Sequence, residues 1–251
     1  MLQAAFSSDG SFFRRPWRGR VTGNDGRERL QHPLFARAFA RAVAGLDRRG
    51  AGEHRRRILA GLHGSVIEIG AGAGSSFPLY PSSVTHVLAL EPDDYLRRVA
   101  QQAATDASVP VTVVAAAAEH IPAETGSADA VVASLVLCSV KDQATALAEI
   151  RRVLKPGGTL AYYEHVRSEH PFLARAEGAV TPLWGRFMGG CHLNRDTLAA
   201  ITAAGFSVRD NQRFGFAVGR FNPPLAHILG TASSPGPPNQ TPNPAETGSA
   251  S

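Results

Sequence analysis

The hydrophobic positions of this 251-residue chain form short apolar runs separated by longer amphipathic or polar stretches. The runs are Ser65 to Ile69, His86 to Leu90, Val111 to Ala115, Ala130 to Leu135 and Thr159 to Val166. The stretches between them are long enough for the crossover helices that join parallel strands. The pattern therefore predicts an α/β fold, a doubly wound Rossmann-like sheet with helices on both faces.

Helices are predicted where apolar residues recur at helical spacing. The predicted helices are a segment that opens at Pro33, Glu53 to Leu62, Tyr95 to Ala104 and Asp142 to Leu154. Pro33 suits the first turn of a helix, because the N–H that proline lacks would have no partner there.

The C-terminal part of the pattern departs from this alternation. Asn194 is expected to cap a helix that runs to Ala204, with Gly205 as its C-terminal cap. Two strands follow without a helix between them, Phe206 to Phe214 and Ala226 to Ala232. Such neighbours are expected to pair in antiparallel fashion, which gives seven strands, mostly parallel, with an antiparallel C-terminal strand.

Composition divides the chain into three parts. Residues 1–28 are predicted to be a basic flexible arm, 29–232 the folded domain and 233–251 a disordered tail, which has five prolines and no large apolar side chain. Within the domain, 171–194 and 215–225 are expected to form a substrate cap and loop.

Charge and hydropathy exclude several classes of protein. The net charge is +5, but residues 1–60 hold 13 Arg against 5 acidic residues, so the basic character belongs to the N-terminal part and we do not expect nucleic-acid binding. The mainly apolar run 130–138 is too short to span a bilayer, which takes about 20 residues, so we expect no stable membrane insertion. The first residues place arginines after apolar residues, which is the wrong order for a signal peptide, and a cytoplasmic location is expected.

The two cysteines, Cys138 and Cys191, cannot build a disulfide framework and do not form a C-x-x-C pair. His192 adjoins Cys191, but adjacent residues rarely bind the same ion. We therefore expect no metal, and buried packing remains an alternative role for both thiols.

The strongest candidate for chemistry is a glycine turn directly after the first predicted strand. Its sequence, Glu68 to Gly74, reads E-I-G-A-G-A-G, with Gly70, Gly72 and Gly74 at alternate positions and Ala71 between the first two. Glycines let backbone N–H groups approach a ligand without obstruction by a Cβ. Position 75 is Ser, so the dinucleotide pattern G-x-G-x-x-G is not met, and the turn favours a nucleoside that carries an amino-acid tail.

An acidic residue follows the second predicted strand. Glu91 lies 21 residues after Gly70 and is followed by Pro92. A carboxylate at this position can accept hydrogen bonds from both ribose hydroxyls of a nucleoside. Taken alone, Glu91 would instead be interpreted as a solvated loop residue.

These motifs, taken in order, resemble the class I S-adenosylmethionine-dependent methyltransferases. The resemblance covers about residues 60–166 and rests on Glu68 to Gly74, Glu91-Pro92, Ala117 to Pro122, Ser127 to Val132 and Arg152 to Gly158. It implies S-adenosylmethionine as the cofactor and S-adenosylhomocysteine as the product. It also implies backbone contacts from Ala118, and Glu119 or its neighbour facing the adenine amino group. The implied cofactor-binding residues are Glu68, Gly70, Ala71, Gly72, Gly74, Glu91, Pro92, Ala118, Glu119 and Leu135.

A narrower resemblance links the chain to the thiol S-methyltransferases of animals and their bacterial relatives. It rests on Leu135 to Gln143, Glu164 to Val166 and Gly190 to Arg195. It implies methyl transfer to a small-molecule thiol. The animal proteins begin with a hydrophobic anchoring segment, whereas this N-terminus is basic and discontinuous, so membrane association is not carried over.

Candidate residues for the acceptor follow from position in the fold. His165, helped by Glu164, is expected at the carboxyl end of the fifth strand, where ligands gather in this fold, and would accept a proton or orient the acceptor. A histidine that only bonds backbone is the alternative. Cys138, Ser139, Cys191 and His192 are expected to line the substrate pocket.

Several functions remain open at this stage. N-, O- or C-methylation of a small metabolite, or of a lipid or quinone head group, would use the same cofactor motifs. A non-catalytic module that binds S-adenosylmethionine is a further alternative. The sequence leaves the oligomeric state open.

Overall fold

A computed structural model of the chain describes residues 30–217 and 224–235. Within these residues seven strands form a single sheet in the order β3-β2-β1-β4-β5-β7-β6. The strands are β1 (Gly64–Ile69), β2 (Val84–Leu90), β3 (Val111–Val114), β4 (Ala128–Ser134), β5 (Leu154–His165), β6 (Ser207–Phe216) and β7 (Leu225–Ser233). Strands β1 to β5 pair in parallel, while β7 is antiparallel to both β5 and β6. The predicted sheet is confirmed, including its one antiparallel C-terminal strand.

Helices surround this sheet and connect its strands. They are α1 (Pro33–Leu46), α2 (Gly52–Leu59), α3 (Asp94–Ala103), α4 (Gln143–Val153), α5 (Pro171–Phe187) and α6 (Thr197–Ala203). A π-helical turn, Asp47–Ala51, joins α1 to α2, and single 3₁₀ turns lie at Phe77–Leu79 and Ala104–Asp106. Helix α1 begins at Pro33, as the sequence predicts.

The described core has two large apolar clusters, one on each face of the sheet, and a small third cluster of Cys138, Cys191 and Leu193. Alternate residues of β1 enter different clusters, with Ile67 and Ile69 in one and Val66 in the other, as expected for a strand whose two faces are both covered. The first cluster contains apolar residues of α4 and α6, and the second contains residues of α2 and α3. Helices on both faces are therefore confirmed.

The N-terminal cap predicted for α6 is wrong by two residues. Asp196 occupies the cap, and its carboxylate accepts the backbone N–H of Ala199 at 3.0 Å. Asn194 lies before this turn. An aspartate can cap as well as an asparagine, so residue type alone does not decide between the two positions. The C-terminal prediction is confirmed, because Gly205 has φ +88°, the left-handed conformation that ends many helices.

Other element boundaries also differ from the sequence prediction. Strand β5 begins at Leu154 rather than Thr159, and its pairing with β4 shifts register between Ala128 and Ala130. The cap region contains a 17-residue helix, α5, with Pro182 inside it. The sequence prediction gave this region no helix.

The structure describes only part of each terminal region of the chain. The predicted arm 1–28 lies outside the described residues, as do residues 218–223 of the predicted 215–225 loop. Strand β7 extends to Ser233, and the Ser234 N–H bonds the Gly158 carbonyl at 2.8 Å, so the first residues of the predicted tail pair with the sheet. Across 30–217 and 224–235, none of the helices has both the length and the apolar character needed to cross a membrane.

Candidate functional site

The glycine turn follows β1 and requires glycine for two physical reasons. Gly70, Gly72 and Gly74 have φ values of +61°, +58° and +81°, a region that other residues rarely adopt. A Cβ at Gly70 would lie 2.5 Å from Cγ2 of Val136, and one at Gly74 would lie 2.7 Å from the ring of Phe77. The turn is thus fixed by close packing on one side and leaves its backbone N–H groups near the carboxyl edge of the sheet.

The carboxylate of Glu91 lies against this turn. One of its oxygens accepts the Gly72 N–H at 2.8 Å, and the other accepts the Asp93 N–H at 2.8 Å. Glu91 is 5% exposed, and this burial raises its pKa to about 7 although the two N–H groups favour the charged form. The carbonyl of the next residue, Pro92, accepts a hydrogen bond from the Gln31 side chain at 3.0 Å, which ties the segment before α1 to this loop.

Glu68 supports the turn from inside the protein. It is 2% exposed, and its carboxylate accepts the Tyr80 hydroxyl hydrogen at 2.9 Å. Burial raises the pKa of Glu68, while hydrogen bonds from Ser76 and Tyr80 act in the opposite direction. Its carboxylate is therefore partnered within the protein, beneath the turn.

Helix α1 covers the outer side of the turn. Its Phe39 ring would lie 3.2 Å from a Cβ at Gly72, and its Phe35 ring 2.7 Å from a Cβ at Gly189. The two rings stack with centroids 5.5 Å apart. Phe35 and Phe39 therefore link the glycine turn to the segment after α5.

The residues after β3 line the same edge of the sheet. Ala118 is buried in the core. The carboxylate of Glu119 accepts the N–H of Lys141 at 2.9 Å and of Asp142 at 3.3 Å, so it holds the chain just before α4. The family resemblance implies that Glu119 or its neighbour faces the adenine amino group. In the structure, the Glu119 carboxylate accepts hydrogen bonds from two backbone N–H groups of the protein.

A strained residue follows β4. Leu135 has φ +58° and is the only non-glycine residue with positive φ in the described parts of the chain. Its N–H bonds the Tyr163 carbonyl of β5 at 2.7 Å. Backbone strain of this kind tends to persist at functional sites, where surrounding contacts hold it in place.

The loop after Leu135 is held by one buried carboxylate. Glu164, which is fully buried in β5, accepts the N–H groups of Val136, Leu137 and Cys138 at 3.0, 2.8 and 3.1 Å. Burial raises its pKa, against the effect of these three N–H groups. Glu164 thus positions the loop. The side chain of Val136 in that loop is the one packed against Gly70.

Cys138, His165 and Cys191 form a compact cluster at this edge, which we call the thiol–imidazole cluster. The Cys191 sulfur lies 3.7 Å from the Cys138 sulfur and 3.3 Å from Nδ1 of His165, and the Cys138 sulfur lies 3.9 Å from the same nitrogen. The hydrogen bond shared with Cys138, and next that shared with His165, lower the pKa of the Cys191 thiol. The same hydrogen bond, together with burial, raises the pKa of the Cys138 thiol.

The segment after α5 brings Cys191 into this cluster. Gly189 and Gly190 have φ +61° and +86°, which turns the chain back toward β4. The His192 N–H then bonds the Cys138 carbonyl at 2.9 Å. Trp184 of α5 packs on the two cysteines.

The structure brings most predicted acceptor residues together. Ser139 adjoins the cluster, with its hydroxyl 3.5 Å from the Cys138 sulfur. Nδ1 of His192 is buried and has no hydrogen-bond partner among the described residues. What the sequence did not reveal is that Cys138, His165 and Cys191 approach as three potential metal ligands, all within 4.8 Å of one another. The signal was present in part, since Cys138 follows β4 and His165 ends β5.

The turn and Glu91 fit a nucleoside cofactor. The Gly72 N–H and the buried Glu91 carboxylate are hydrogen-bonded to each other, and Cβ atoms added to the glycines would crowd the side chains that pack on the turn. A carboxylate here can accept hydrogen bonds from ribose hydroxyls.

Comparisons with known proteins give the family. Residues 67–162 match a family described as a methyltransferase domain. Human thiol S-methyltransferase TMT1A is 34% identical over 147 residues, which cover 57% of this chain and 60% of TMT1A. Human thiol S-methyltransferase TMT1B is 32% identical over 180 residues, covering 69% of this chain and 73% of TMT1B.

Solved structures agree on the fold. A SAM-dependent methyltransferase from Methanosarcina mazei superposes with a TM-score of 0.56 at 19% identity, covering 69% of this chain and 93% of that one. The YcgJ protein of Bacillus subtilis superposes with a TM-score of 0.59 at 16% identity, covering 75% of this chain and 99% of that one.

The match to TMT1A spans less than two thirds of that relative, whereas the match to TMT1B spans more than two thirds of TMT1B. On the extent of the TMT1B match, this chain belongs to the thiol S-methyltransferase family.

Proposed function

We propose that this protein transfers the methyl group of S-adenosylmethionine to the sulfur of a small-molecule thiol. One observation carries the proposal. The loop that packs Val136 against Gly70 of the glycine turn also delivers Cys138 to the thiol–imidazole cluster. A cofactor in the turn and an acceptor at the cluster would therefore be neighbours. Two human relatives named as thiol S-methyltransferases support the choice of acceptor.

The cofactor side depends on the turn and on Glu91. When bound, S-adenosylmethionine supplies an electrophilic methyl group on a sulfonium. The backbone of the glycine turn would lie against its amino-acid tail, and Glu91 would accept its ribose hydroxyls. The Phe39 ring would limit the access of water to the turn, because it lies directly over Gly72.

The acceptor side depends on His165 and the residues around it. A thiolate is intrinsically nucleophilic, so the protein needs mainly to orient the acceptor sulfur and to exclude water. His165 is the partly exposed member of the cluster, beside two buried cysteines, and this exposure supports a contact with an incoming sulfur. We propose that His165 touches the acceptor, and that Glu164 acts through the loop that it holds.

Helix α5 completes the acceptor pocket as a cap. Its outer face exposes Phe172, Leu183 and Phe187, which are 71%, 63% and 64% exposed. Its inner side packs Trp184 against the cysteines. We propose that this cap, with His192 and Ser139, sets the size and polarity of the acceptor.

The test measures S-adenosylhomocysteine formed by purified protein with a panel of acceptors at equal concentration. The panel contains alkyl and aryl thiols, hydrogen sulfide, phenols and amines. Turnover confined to thiols and sulfide is the expected result, and Gly70→Ala protein should form little product because its added Cβ overlaps Val136 and distorts the turn. Turnover only on phenols or amines would contradict the thiol acceptor. Cofactor binding without turnover on any acceptor would contradict catalysis.

A further inference from the structure

The spacing of the thiol–imidazole cluster matches the ligand spacing of a tetrahedral metal site. Ligand bonds of about 2.3 Å to sulfur and about 2.0 Å to nitrogen, opened at the tetrahedral angle, place two sulfurs roughly 3.8 Å apart and a sulfur and a nitrogen roughly 3.5 Å apart. The observed sulfur–sulfur distance between Cys138 and Cys191 is 3.7 Å. The two distances to Nδ1 of His165, 3.3 and 3.9 Å, lie on either side of the tetrahedral value.

We propose that Cys138, His165 and Cys191 bind one Zn²⁺ ion, and that its fourth position takes the sulfur of the thiol acceptor. Three protein ligands with an open fourth position is the arrangement of catalytic zinc sites, whereas structural sites are closed by four. The acceptor part of this inference rests on the proposed function. The metal part does not, because it follows from the three side chains alone.

The donor set selects zinc among the common metals. Two thiolates and one imidazole suit a borderline-soft ion, whereas Mg²⁺ and Ca²⁺ require oxygen ligands. Zinc has no redox chemistry and accepts tetrahedral geometry without preference from its d electrons. None of the three proposed ligands is a carboxylate, which also disfavours Mg²⁺ and Ca²⁺.

The surroundings provide what a metal site needs beyond its ligands. The loop that carries Cys138 is fixed by three hydrogen bonds to Glu164. The segment that carries Cys191 is fixed by the hydrogen bond from the His192 N–H to the Cys138 carbonyl. Contacts of this kind orient metal ligands and tune their charge.

Charge and access are also suitable. Cys138 and Cys191 are 1% and 6% exposed, so two thiolates there would be costly without a cation. A Zn²⁺ ion with two thiolates is neutral overall. His165 is partly exposed, which places the accessible side of the site at the imidazole.

The chemical role of the metal follows from coordination. The acceptor S–H bond breaks when its sulfur binds zinc, and the proton leaves to solvent. The acceptor sulfur then uses a lone pair to form a bond to the methyl carbon. The carbon's bond to the sulfonium breaks, and its electron pair stays on the cofactor sulfur. One thiol and one S-adenosylmethionine thus give one methyl thioether, one S-adenosylhomocysteine and one proton.

A disulfide is the alternative use of the same cysteines. A disulfide needs its sulfurs about 2.05 Å apart, well short of the 3.7 Å observed. Both thiols are reduced in the structure. An oxidised pair would also remove two of the three proposed ligands, so the two interpretations predict opposite results for metal binding.

The test uses the 251-residue protein, reduced with a phosphine and stripped of metal with a chelator. Thiol reductants are avoided because they would themselves occupy the site. Binding of Zn²⁺ is measured by elemental analysis after desalting, and Co²⁺ is used as a spectroscopic substitute. We expect one ion per chain and the intense absorption of tetrahedral cobalt bound to thiolates. Addition of ethanethiol should change that absorption, which is a readout independent of methyl transfer.

Variants locate the ion. Loss of supporting residues around metal ligands costs about 10- to 100-fold in affinity, so Cys191→Ser and Cys138→Ser should weaken zinc binding by more than about 100-fold. His170→Ala, which removes an exposed histidine at the start of α5, is the matched control and should bind zinc like the wild type. Circular dichroism of each variant verifies folding, and the cobalt spectrum of the wild type does not depend on any variant.

The outcomes separate the metal from the proposed function. Absence of bound zinc in reduced wild type, zinc retained fully by Cys191→Ser, or a Cys138–Cys191 disulfide that persists under phosphine would overturn the site. Equal rates of ethanethiol methylation by stripped and zinc-loaded protein would overturn its catalytic role and leave the proposed function intact. Zinc bound at these ligands without methylation of any thiol would support the site and reject the proposed function.

Discussion

The carboxylate of Glu164 accepts the backbone N–H of Leu137 at 2.8 Å, across the gap between β5 and the loop after β4. Two more N–H groups of that loop share the same carboxylate. A fully buried carboxyl group is tolerated here because several donors hydrogen-bond to it. The relation makes Glu164 a positioning residue for Cys138.

Replacement of Glu164 by Gln should therefore loosen the loop. The amide has one acceptor oxygen in place of two, and its NH₂ group would face an N–H donor. We expect the free energy of unfolding to fall by about 1–3 kcal/mol in urea denaturation. We also expect kcat to fall while the affinity for S-adenosylmethionine, measured by calorimetry, changes little. The matched control Glu169→Gln alters an exposed glutamate and should stay within about 0.5 kcal/mol. Wild-type kcat in Glu164→Gln would contradict the positioning role.

The raised pKa of Glu91 predicts that cofactor binding depends on pH. A carboxylate can accept hydrogen bonds from both ribose hydroxyls, whereas a protonated carboxyl group has fewer acceptor sites. Cofactor binding therefore requires the charged form of Glu91. Because the pKa of Glu91 is about 7, affinity should rise as pH increases toward about 7 and level off above it. Calorimetric titration with S-adenosylmethionine across this range measures the effect. Glu91→Gln should bind about 10- to 100-fold more weakly and show a flat profile, whereas the exposed control Glu124→Gln should keep the wild-type profile.

The same shift predicts the pH dependence of stability without cofactor. Between pH 4.5, the ordinary pKa of a glutamate, and about pH 7, folded Glu91 holds a proton that the unfolded chain has released. Its contribution to stability is therefore complete below about pH 4.5 and is lost as pH rises to about 7, by roughly 1.4 kcal/mol for each pH unit. Urea denaturation of Glu91→Gln should lack this decline. A decline equal to that of wild type would assign the effect to other groups.

The cofactor half of the site could be predicted from sequence, because its physics is local. A strand that runs into alternate glycines fixes a turn with positive φ, and Glu91 comes at the end of the neighbouring strand. Parallel strands bring their carboxyl ends to one edge, so Gly72 and Glu91 had to meet there. The structure adds the hydrogen bond between them.

The acceptor half depends on long-range packing, which sequence patterns do not reveal. Cys191 reaches Cys138 only because Gly189 and Gly190 turn the chain after α5, and Phe35 of α1 packs against Gly189. Helix α5 itself was missed. Its Pro182 interrupts the usual helical signal, and the helix exposes large apolar residues, so its pattern is not that of an ordinary surface helix. The role of Glu164 could not be predicted either, because its three partners are backbone groups of another element.

The hydrogen bond from Tyr80 to Glu68 should contribute to the stability of the glycine turn. Both residues are buried, and burial raises the pKa of Glu68. Tyr80→Phe removes a donor to a buried carboxylate, so we expect a loss of about 1–3 kcal/mol in the free energy of unfolding at neutral pH. Urea denaturation of Tyr80→Phe, Glu68→Gln and the double variant forms a cycle. The double variant should lose less than the sum of the two single losses, and strict additivity would show that the pair does not interact.

The glycine turn offers a comparison that separates backbone strain from steric overlap. Gly70 and Gly157 both have positive φ, +61° and +75°, but only Gly70 is crowded. A Cβ at Gly70 would lie 2.5 Å from Cγ2 of Val136, whereas a Cβ at Gly157 meets nothing within 4 Å. Gly157→Ala should therefore lose about 1–2 kcal/mol of stability from strain alone. Gly70→Ala should lose about 1–3 kcal/mol more from overlap.

Function should separate the two glycine variants more sharply than stability does. Displacement of Val136 moves the loop that carries Cys138, and the added methyl group obstructs the turn, so Gly70→Ala should lose both affinity for S-adenosylmethionine and kcat. Gly157 lies at the start of β5, far along the strand from His165, and its variant should keep both. Calorimetry and S-adenosylhomocysteine assays on the two proteins measure this contrast. Equal losses in both would mean that overall destabilisation, rather than the turn, limits activity.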